Sequence, residues 1–441
     1  MEKQHYYHIL TFGCQMNKSD SERLASILQS MGLEVVDKPE EADVIVMNSC
    51  SVRESAEHRI FGNMENFRKL KKKKPNLIVV LTGCMPGRDK DGKLKEKLKD
   101  VDLFFPTSQM IMLPKLLSEL NPNLVAVETA NHYLQTKPNY SNNFQAFIPI
   151  QTGCDHFCTY CVVPYARGKE RNRPLKEVLD EIKDLSFRGC KEVTLLGEIV
   201  NHYMAPDPEF FSKNNIYKKN NFAKLLWEIN QIKGIERIHW TGPHPIYMDE
   251  EMIDALTLPK QINFLHLPVQ SGNTEILKKM NRRHDREFYF DLVKKIRKKK
   301  PDIAIGTDII VGFCGETEKQ FQDTLDFYKE CDFDIVYVAQ YSQRSNTAAA
   351  KAFEDDIPKI EKKRRWLELQ NLMEKITLQK NQKYLDKKIS VLVDSYEKGV
   401  CTGNSSEMKR TSFRGDKSMV GSIVIIKVNK AQEWILWGEM V

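Results

Sequence analysis

The sequence predicts an α/β protein in three successive parts: a parallel-sheet α/β unit, a central barrel of βα units and a small all-β module. Three observations carry this reading. Up to about Tyr341, short β-branched or aromatic runs alternate with helical periodicity, the pattern of parallel strands with helices on the sheet faces. One long charged helical pattern follows, from Lys359 to Tyr384. Beyond it come only short strand-like runs separated by Gly, Asn, Asp and Ser.

In the first part, HYYHILTFG, DVIVMNS and LIVVLTG have the composition and length of buried strands. Helical periodicity falls between them, over Ser19 to Met31 and Ser55 to Lys73, the first opening with Ser and Asp cap candidates. We place this unit at residues 1–130. Asn131 to Asn143, rich in Asn, Pro and Ser, reads as a linker. From Phe144 the rhythm resumes with AFIPIQ, EVTLLG, ERIHWT, NFLHLPV, IAIGTDIIVG and DIVYVAQ as strands. Pro174 to Arg188, with proline in a permitted first-turn position, and Arg286 to Lys299 are helices among them. Six βα units suggest a partial or complete barrel at residues 140–372, although periodicity alone also permits an open sheet. The last strands, KKISVLVDSY, VCTGNS, KRTSFRG, SIVIIKV and EWILWGEM, suit a compact β-barrel at residues 375–441.

Bulk properties narrow the function classes. A chain of 441 residues with 41% hydrophobic and 29% charged residues is globular and not disordered overall. No secretory h-region opens it, and runs such as Ile78 to Leu81 fall far short of the ~20 residues that cross a bilayer. The expected location is cytoplasmic, with no membrane partner. A net charge of +7 permits a nucleic-acid partner without demanding one. Ten cysteines without an export signal point to metal or catalysis more than to disulfides, so their spacing has to decide.

Cys154, Cys158 and Cys161 form a C-x₃-C-x₂-C loop directly after AFIPIQ. Thiolates are soft ligands suited to zinc or iron–sulfur clusters. A structural zinc site wants four ligands, usually in pairs, and a second pair is missing nearby. His156 lies between its would-be co-ligands, and the spacing is not that of ferredoxins. Three thiolates on a four-iron cluster leave one iron open. A second set is found by topology, because Cys14, Cys50 and Cys84 each close a predicted strand. Parallel strands bring their C-terminal ends to one edge, where α/β folds bind ligands. The alternative role is three small buried hydrophobes. Cys190, Cys314, Cys331 and Cys401 have no such placement and read as inert thiols.

The Cys154–Cys161 loop resembles the signature of the radical-SAM superfamily, and TFGCQMNKSDSE, NSCSVRESAE and LTGC look like the three signature segments of the methylthiotransferase N-terminal domain. This resemblance covers the whole chain. It implies a radical-SAM barrel whose open iron chelates S-adenosylmethionine, with a 5′-deoxyadenosyl radical released after electron transfer. It implies a second [4Fe-4S] cluster on Cys14, Cys50 and Cys84, and a C-terminal TRAM barrel that binds RNA. Tyr160 fits the aromatic slot near the adenine. Glu198, at a strand end, is placed to hold the amino group of S-adenosylmethionine, with an ion-paired carboxylate as the other role.

TFGCQMN, NSCSVRESAEHRIFG, CVVPYARGKERNRP and HLPVQSG look most like the MiaB type, which acts on N6-isopentenyladenosine at tRNA position 37. Sister groups act on N6-threonylcarbamoyladenosine or on a ribosomal-protein aspartate and remain the alternatives. The implied partners are the anticodon stem-loop of tRNA and an electron donor such as flavodoxin or ferredoxin, for a monomeric enzyme. Glu198-Ile199 stands where Gln-Asn is common, Cys314 replaces a proline, and SNTAAA lacks one. For RNA contact, Lys409, Arg410 and Arg414 flank Phe413 in a basic-aromatic cluster. Lys278, Lys279, Arg282 and Arg283 form another basic group, while Trp434 and Trp437 read as core.

Overall fold

Alternating strands and helices build the first unit of the computed structural model, which describes residues 4–52 and 54–441; Arg53, inside NSCSVRESAE, lies outside them. Its sheet comprises β1 (Tyr6–Phe12), β2 (Glu34–Val35), β3 (Val44–Ser49), β4 (Ile78–Gly83) and β5 (Leu103–Phe104), in the order β2-β1-β3-β4-β5. Every pairing is parallel. VIVMNS and IVVLTG are buried throughout because helices cover both faces of the sheet. The two-residue edge strands β2 and β5 were too short to leave a period in the sequence.

The helix Gln15–Ser30 begins four residues before the predicted Ser19, with Cys14 in the cap position. Ser19 and Asp20 are therefore not caps. Both are buried inside the helix because that face is covered by the central barrel, where Ser19 Oγ donates to the carbonyl of Phe147 at 3.3 Å.

The central unit is built on β6 (Gln145–Pro149), a β7–β8 ribbon (Gln151–Thr152 with Arg171–Asn172), β9 (Glu192–Leu196), β10 (Arg237–Thr241), β11 (Phe264–His266), β12 (Ala304–Val311) and β13 (Ile335–Gln340). Two parallel three-stranded sheets, β6-β9-β10 and β11-β12-β13, are joined where Ile238 pairs with residues 260–262. No ladder connects β13 to β6 among the described residues, so the six strands make a partial barrel rather than a closed one. The antiparallel β7–β8 ribbon brackets the cysteine loop at its base.

The long helix Lys359–Gln382 packs its Leu369 and Met373 into the barrel's core and leads to the C-terminal module. There β14 (Lys388–Glu397), β15 (Val400–Ser405), β16 (Arg410–Arg414), β17 (Ile423–Ala431) and β18 (Leu436–Met440) close in the order β14-β15-β16-β18-β17. Strand alternation sends Phe413 into this core with Val391, Val393, Ile426 and Leu436, so it presents no ring to a base. Lys409 is buried against Asp334 at 3.5 Å and Arg410 pairs with Asp394, leaving Arg414 as the exposed charge of that cluster. Trp434 is 51% exposed, contrary to the core expectation.

Two junctions hold the units together. At the base of the partial barrel, Arg237 donates to the carbonyls of Asn404 and Ser405, each at 2.9 Å. Its Nε lies 2.8 Å from the buried Glu192 carboxylate, close but not aligned for a hydrogen bond. At the opposite end the first unit docks. The stretch read as a linker is a fitted strap: Tyr133 is buried, Asn139 N–H donates to the Glu22 carbonyl, and Ser141 donates to its carboxylate. Arg88 ties Glu57 (2.9 Å) to Ser345 of SNTAAA (2.9 Å). Gly87 lies so close to the turn Val163–Arg167 that a Cβ there would stand 2.2 Å from the Ala166 carbonyl oxygen.

Only glycine permits that approach. Gly87→Val should therefore lower stability by about 1–3 kcal/mol, the cost of overpacking. Gly62, a helical glycine with open space around it, is the control: Gly62→Ala should raise stability by about 0.5–1 kcal/mol in the same urea titration. Arg237→Met leaves Glu192 buried and unpaired and should cost about 3–5 kcal/mol, with Arg237→Met/Glu192→Gln recovering much of it.

Candidate metal centre

Register is what gathers the first three cysteines. Phe12 pairs with Ser49 and Ser49 with Gly83, so Cys14, Cys50 and Cys84 all leave the sheet at one edge. Gly83 has φ +106°, and a Cβ on it would lie 2.3 Å from the Ser49 carbonyl oxygen, so LTGC needs its glycine to bring Cys84 in. Two buried amides fix the edge. Asn17 Nδ2 donates to Asn48 Oδ1 at 3.1 Å and to the Ser49 carbonyl at 3.3 Å, while Asn48 Nδ2 returns a bond to the Asn17 carbonyl at 2.8 Å. The Cys14 and Cys50 side chains are hydrogen-bonded to each other, and Cys50 Sγ accepts from Val52 N–H at 3.3 Å. That bond from Cys50, helped by the charge of Arg167, pulls the Cys14 thiol down to about 6 against burial. Burial pushes Cys84 up to about 11, opposed by the same guanidinium.

The second triad sits in the loop closed by the β7–β8 ribbon. Cys154 N–H donates to the Gly168 carbonyl (3.1 Å), Cys161 N–H to the Cys158 carbonyl (2.9 Å), and Val163 N–H to Cys161 Sγ (3.5 Å). Asn281 Nδ2 reaches the carbonyls of His156 and Phe157, both at 3.2 Å. Arg282, read from sequence as an RNA-facing charge, is buried here instead: Nη1 donates to Cys158 Sγ at 3.5 Å and Nη2 to the Pro268 carbonyl at 3.1 Å. Burial pushes Cys154 up to about 12 and Cys161 higher still.

These donor sets fit iron–sulfur clusters. Buried thiols held so far up become thiolate ligands only with the charge of a metal beside them. Among the described residues no three His, Cys, Asp or Glu side chains are grouped to hold a single metal ion. His156 pairs through Nε2 with the Tyr247 hydroxyl at 2.7 Å. Tyr160 is half-buried and packs on the cluster of Ile276, Met280, Phe313 and Cys314. Glu198 is ion-paired, 3.3 Å from Arg167 Nε; burial raises its carboxyl to about 7, with Arg167 opposing. Cys190, Cys314, Cys331 and Cys401 are buried outside both triads.

The elements that carry the two cysteine sets are in contact. The helix Cys84–Arg88 packs on the turn Val163–Arg167, which begins two residues beyond the last cysteine of the second set. Sequence reasoning missed Asn17, Asn48, Arg167 and the true setting of Arg282. All four stood inside quoted motifs or clusters, but only their tertiary partners distinguish them from solvated polar residues.

Comparisons with known proteins agree with this geometry. Residues 6–106 match the model of "Uncharacterized protein family UPF0004" and residues 148–328 that of the radical SAM superfamily. The fold is similar to a radical S-adenosylmethionine methyltransferase, TsrM, from Kitasatospora setae, at a TM-score of 0.55 and 14% identity over 79% of this chain and 77% of that one. A tRNA-2-methylthio-N(6)-dimethylallyladenosine synthase from Thermoanaerobacter sp. (strain X514) is 40% identical, covering 100% of this chain and 93% of its own length. The enzyme of that name from Clostridium botulinum (strain Okra / Type B1) is 40% identical over 98% of this chain and 96% of its own. Identity at this level along the full length gives the assignment: the chain belongs to the family of the tRNA-2-methylthio-N(6)-dimethylallyladenosine synthases.

Proposed function

We propose that the chain is a radical-SAM methylthiotransferase that adds a methylthio group to C2 of N6-isopentenyladenosine at tRNA position 37. The observation that carries this reading is a second three-cysteine edge docked directly onto the first, in a chain related along its whole length to synthases of that modification. Cys154, Cys158 and Cys161 would hold one [4Fe-4S] cluster, and Cys14, Cys50 and Cys84 the other. When bound, the clusters and S-adenosylmethionine supply the electron, the radical and the methyl and sulfur groups of the transfer.

The chain's own residues hold and shield. Asn17 and Asn48 fix the first edge, and Arg282 sets a positive charge beside Cys158. Tyr160 would lie by the adenine. Glu198 would hold the amino group of S-adenosylmethionine after exchanging part of its pairing with Arg167. The docked faces would limit water in the space between the triads once substrate is bound. We assign the cluster-bearing unit to residues 1–130, the radical-SAM barrel to 140–372 and an RNA-binding TRAM barrel to 375–441. A flavodoxin or ferredoxin would deliver the electron to a monomeric cytoplasmic enzyme. No described helix is long and apolar enough to cross a membrane.

Anaerobically reconstituted protein should carry about eight irons, two four-iron clusters per chain. Replacing Cys154, Cys158 and Cys161 with Ala should leave about half, as should replacing Cys14, Cys50 and Cys84; zinc in equal amount would defeat the assignment. Nucleoside analysis of tRNA from a deletion strain should show loss of the 2-methylthio group from isopentenyladenosine. Loss from threonylcarbamoyladenosine instead, or unchanged tRNA with an unmodified ribosomal protein, would move the substrate to a sister group.

A further inference from the structure

The Arg167 side chain reaches the first helix, the strap and the segment beyond β9 at once. Only 2% of it is exposed. Nη2 donates to Asp20 Oδ2 at 2.6 Å, on the first helix of the N-terminal unit. Nη1 lies 3.5 Å from the hydroxyl of Tyr133, on the strap, and that hydroxyl donates in turn to Thr152 Oγ1 at 2.8 Å, beside the cysteine loop. Nε stands 3.3 Å from Glu198, beyond β9. Its charge also acts on the Cys84 thiol, while its backbone ends the turn that follows Cys161. A planar group with five donors can meet such a set at once, and it stays charged at any working pH. Lysine, with one compact charge, cannot span those partners.

A fixed buried cation beside a cluster ligand has two consequences. Its field stabilises the more negative, reduced state of whatever metal core the Cys84 sulfur holds, which raises the reduction potential. Its fork of bonds also locks the spacing between the two cysteine edges, which a transfer from one to the other requires. We propose that Arg167 is a positioning residue that couples the two cysteine triads, setting both the potential of the N-terminal cluster and its distance from the radical source. This rests on the two-cluster reading given above.

The test separates charge from geometry. In a Cys154→Ala/Cys158→Ala/Cys161→Ala background, only the N-terminal cluster remains, and its midpoint potential is read by EPR-monitored titration. Arg167→Met/Asp20→Asn, which removes the cation together with the more deeply buried of its two carboxylate partners, should keep that cluster's iron and shift its potential to more negative values. Arg167→Lys should restore the potential. In the chain with all six ligands, both variants should still form 5′-deoxyadenosine. Both should lose at least about tenfold in 2-methylthio product per 5′-deoxyadenosine, because lysine returns the charge without the span. An unmoved potential in the Arg167→Met/Asp20→Asn variant, unchanged coupling, or loss of the iron itself would overturn the assignment, the last making Arg167 merely structural. A parent chain with Arg167 intact that assembles a single cluster would overturn the two-cluster reading, and the assignment with it.

Discussion

Everything in the architecture follows from setting two parallel-strand edges against each other. A parallel sheet delivers its loops at the carboxyl ends of its strands, and here two such edges meet, one from the five-stranded sheet and one from the partial barrel. The contact is tight enough that residue 87 has to be glycine, and beside it lies the buried guanidinium of Arg167. Each triad lies at the end of its own sheet, so neither position depends on long mobile loops. What had to be solved was the angle and distance between two rigid bodies.

Buried ion pairs are a poor means of adding stability, since the desolvation of each charge offsets most of the attraction. Their persistence at both junctions of this chain is better understood as specificity. Arg167 between Asp20 and Glu198, and Arg88 between Glu57 and Ser345, each fix one orientation of the N-terminal unit. An apolar interface of similar area would tolerate sliding. These would not, because a slip of one residue strands a charge. The strap from residue 131 to 143 adds to the same effect by bonding to Glu22 along its course.

The C-terminal barrel occupies the other end. Its 404–409 segment caps the base of the central strands through Arg237, Asn263 and Asp334. That placement leaves the cysteine-bearing end to the N-terminal unit. Charges that looked free in the sequence are committed: Lys409 helps hold the C-terminal unit in place, and Arg282 serves the cysteine loop.

The sequence by itself determined the elements and the candidate ligands. Strand and helix periods are local, so all six barrel strands, the five C-terminal strands and three of the N-terminal strands could be read from hydrophobic pattern. C-x₃-C-x₂-C is contiguous, and even the dispersed Cys14, Cys50 and Cys84 were legible because strand ends in a parallel sheet share an edge. Edge strands of two residues carry no period, and a helix capped by cysteine carries none of the usual start signals, so β2, β5 and the start at Gln15 were missed. Only tertiary structure decided which charges are buried, that Phe413 points inward, that the strap is packed, and that Arg167 stands between the triads. Charge burial depends on what another segment, often more than a hundred residues away, places against a side chain, and no local pattern encodes that distance.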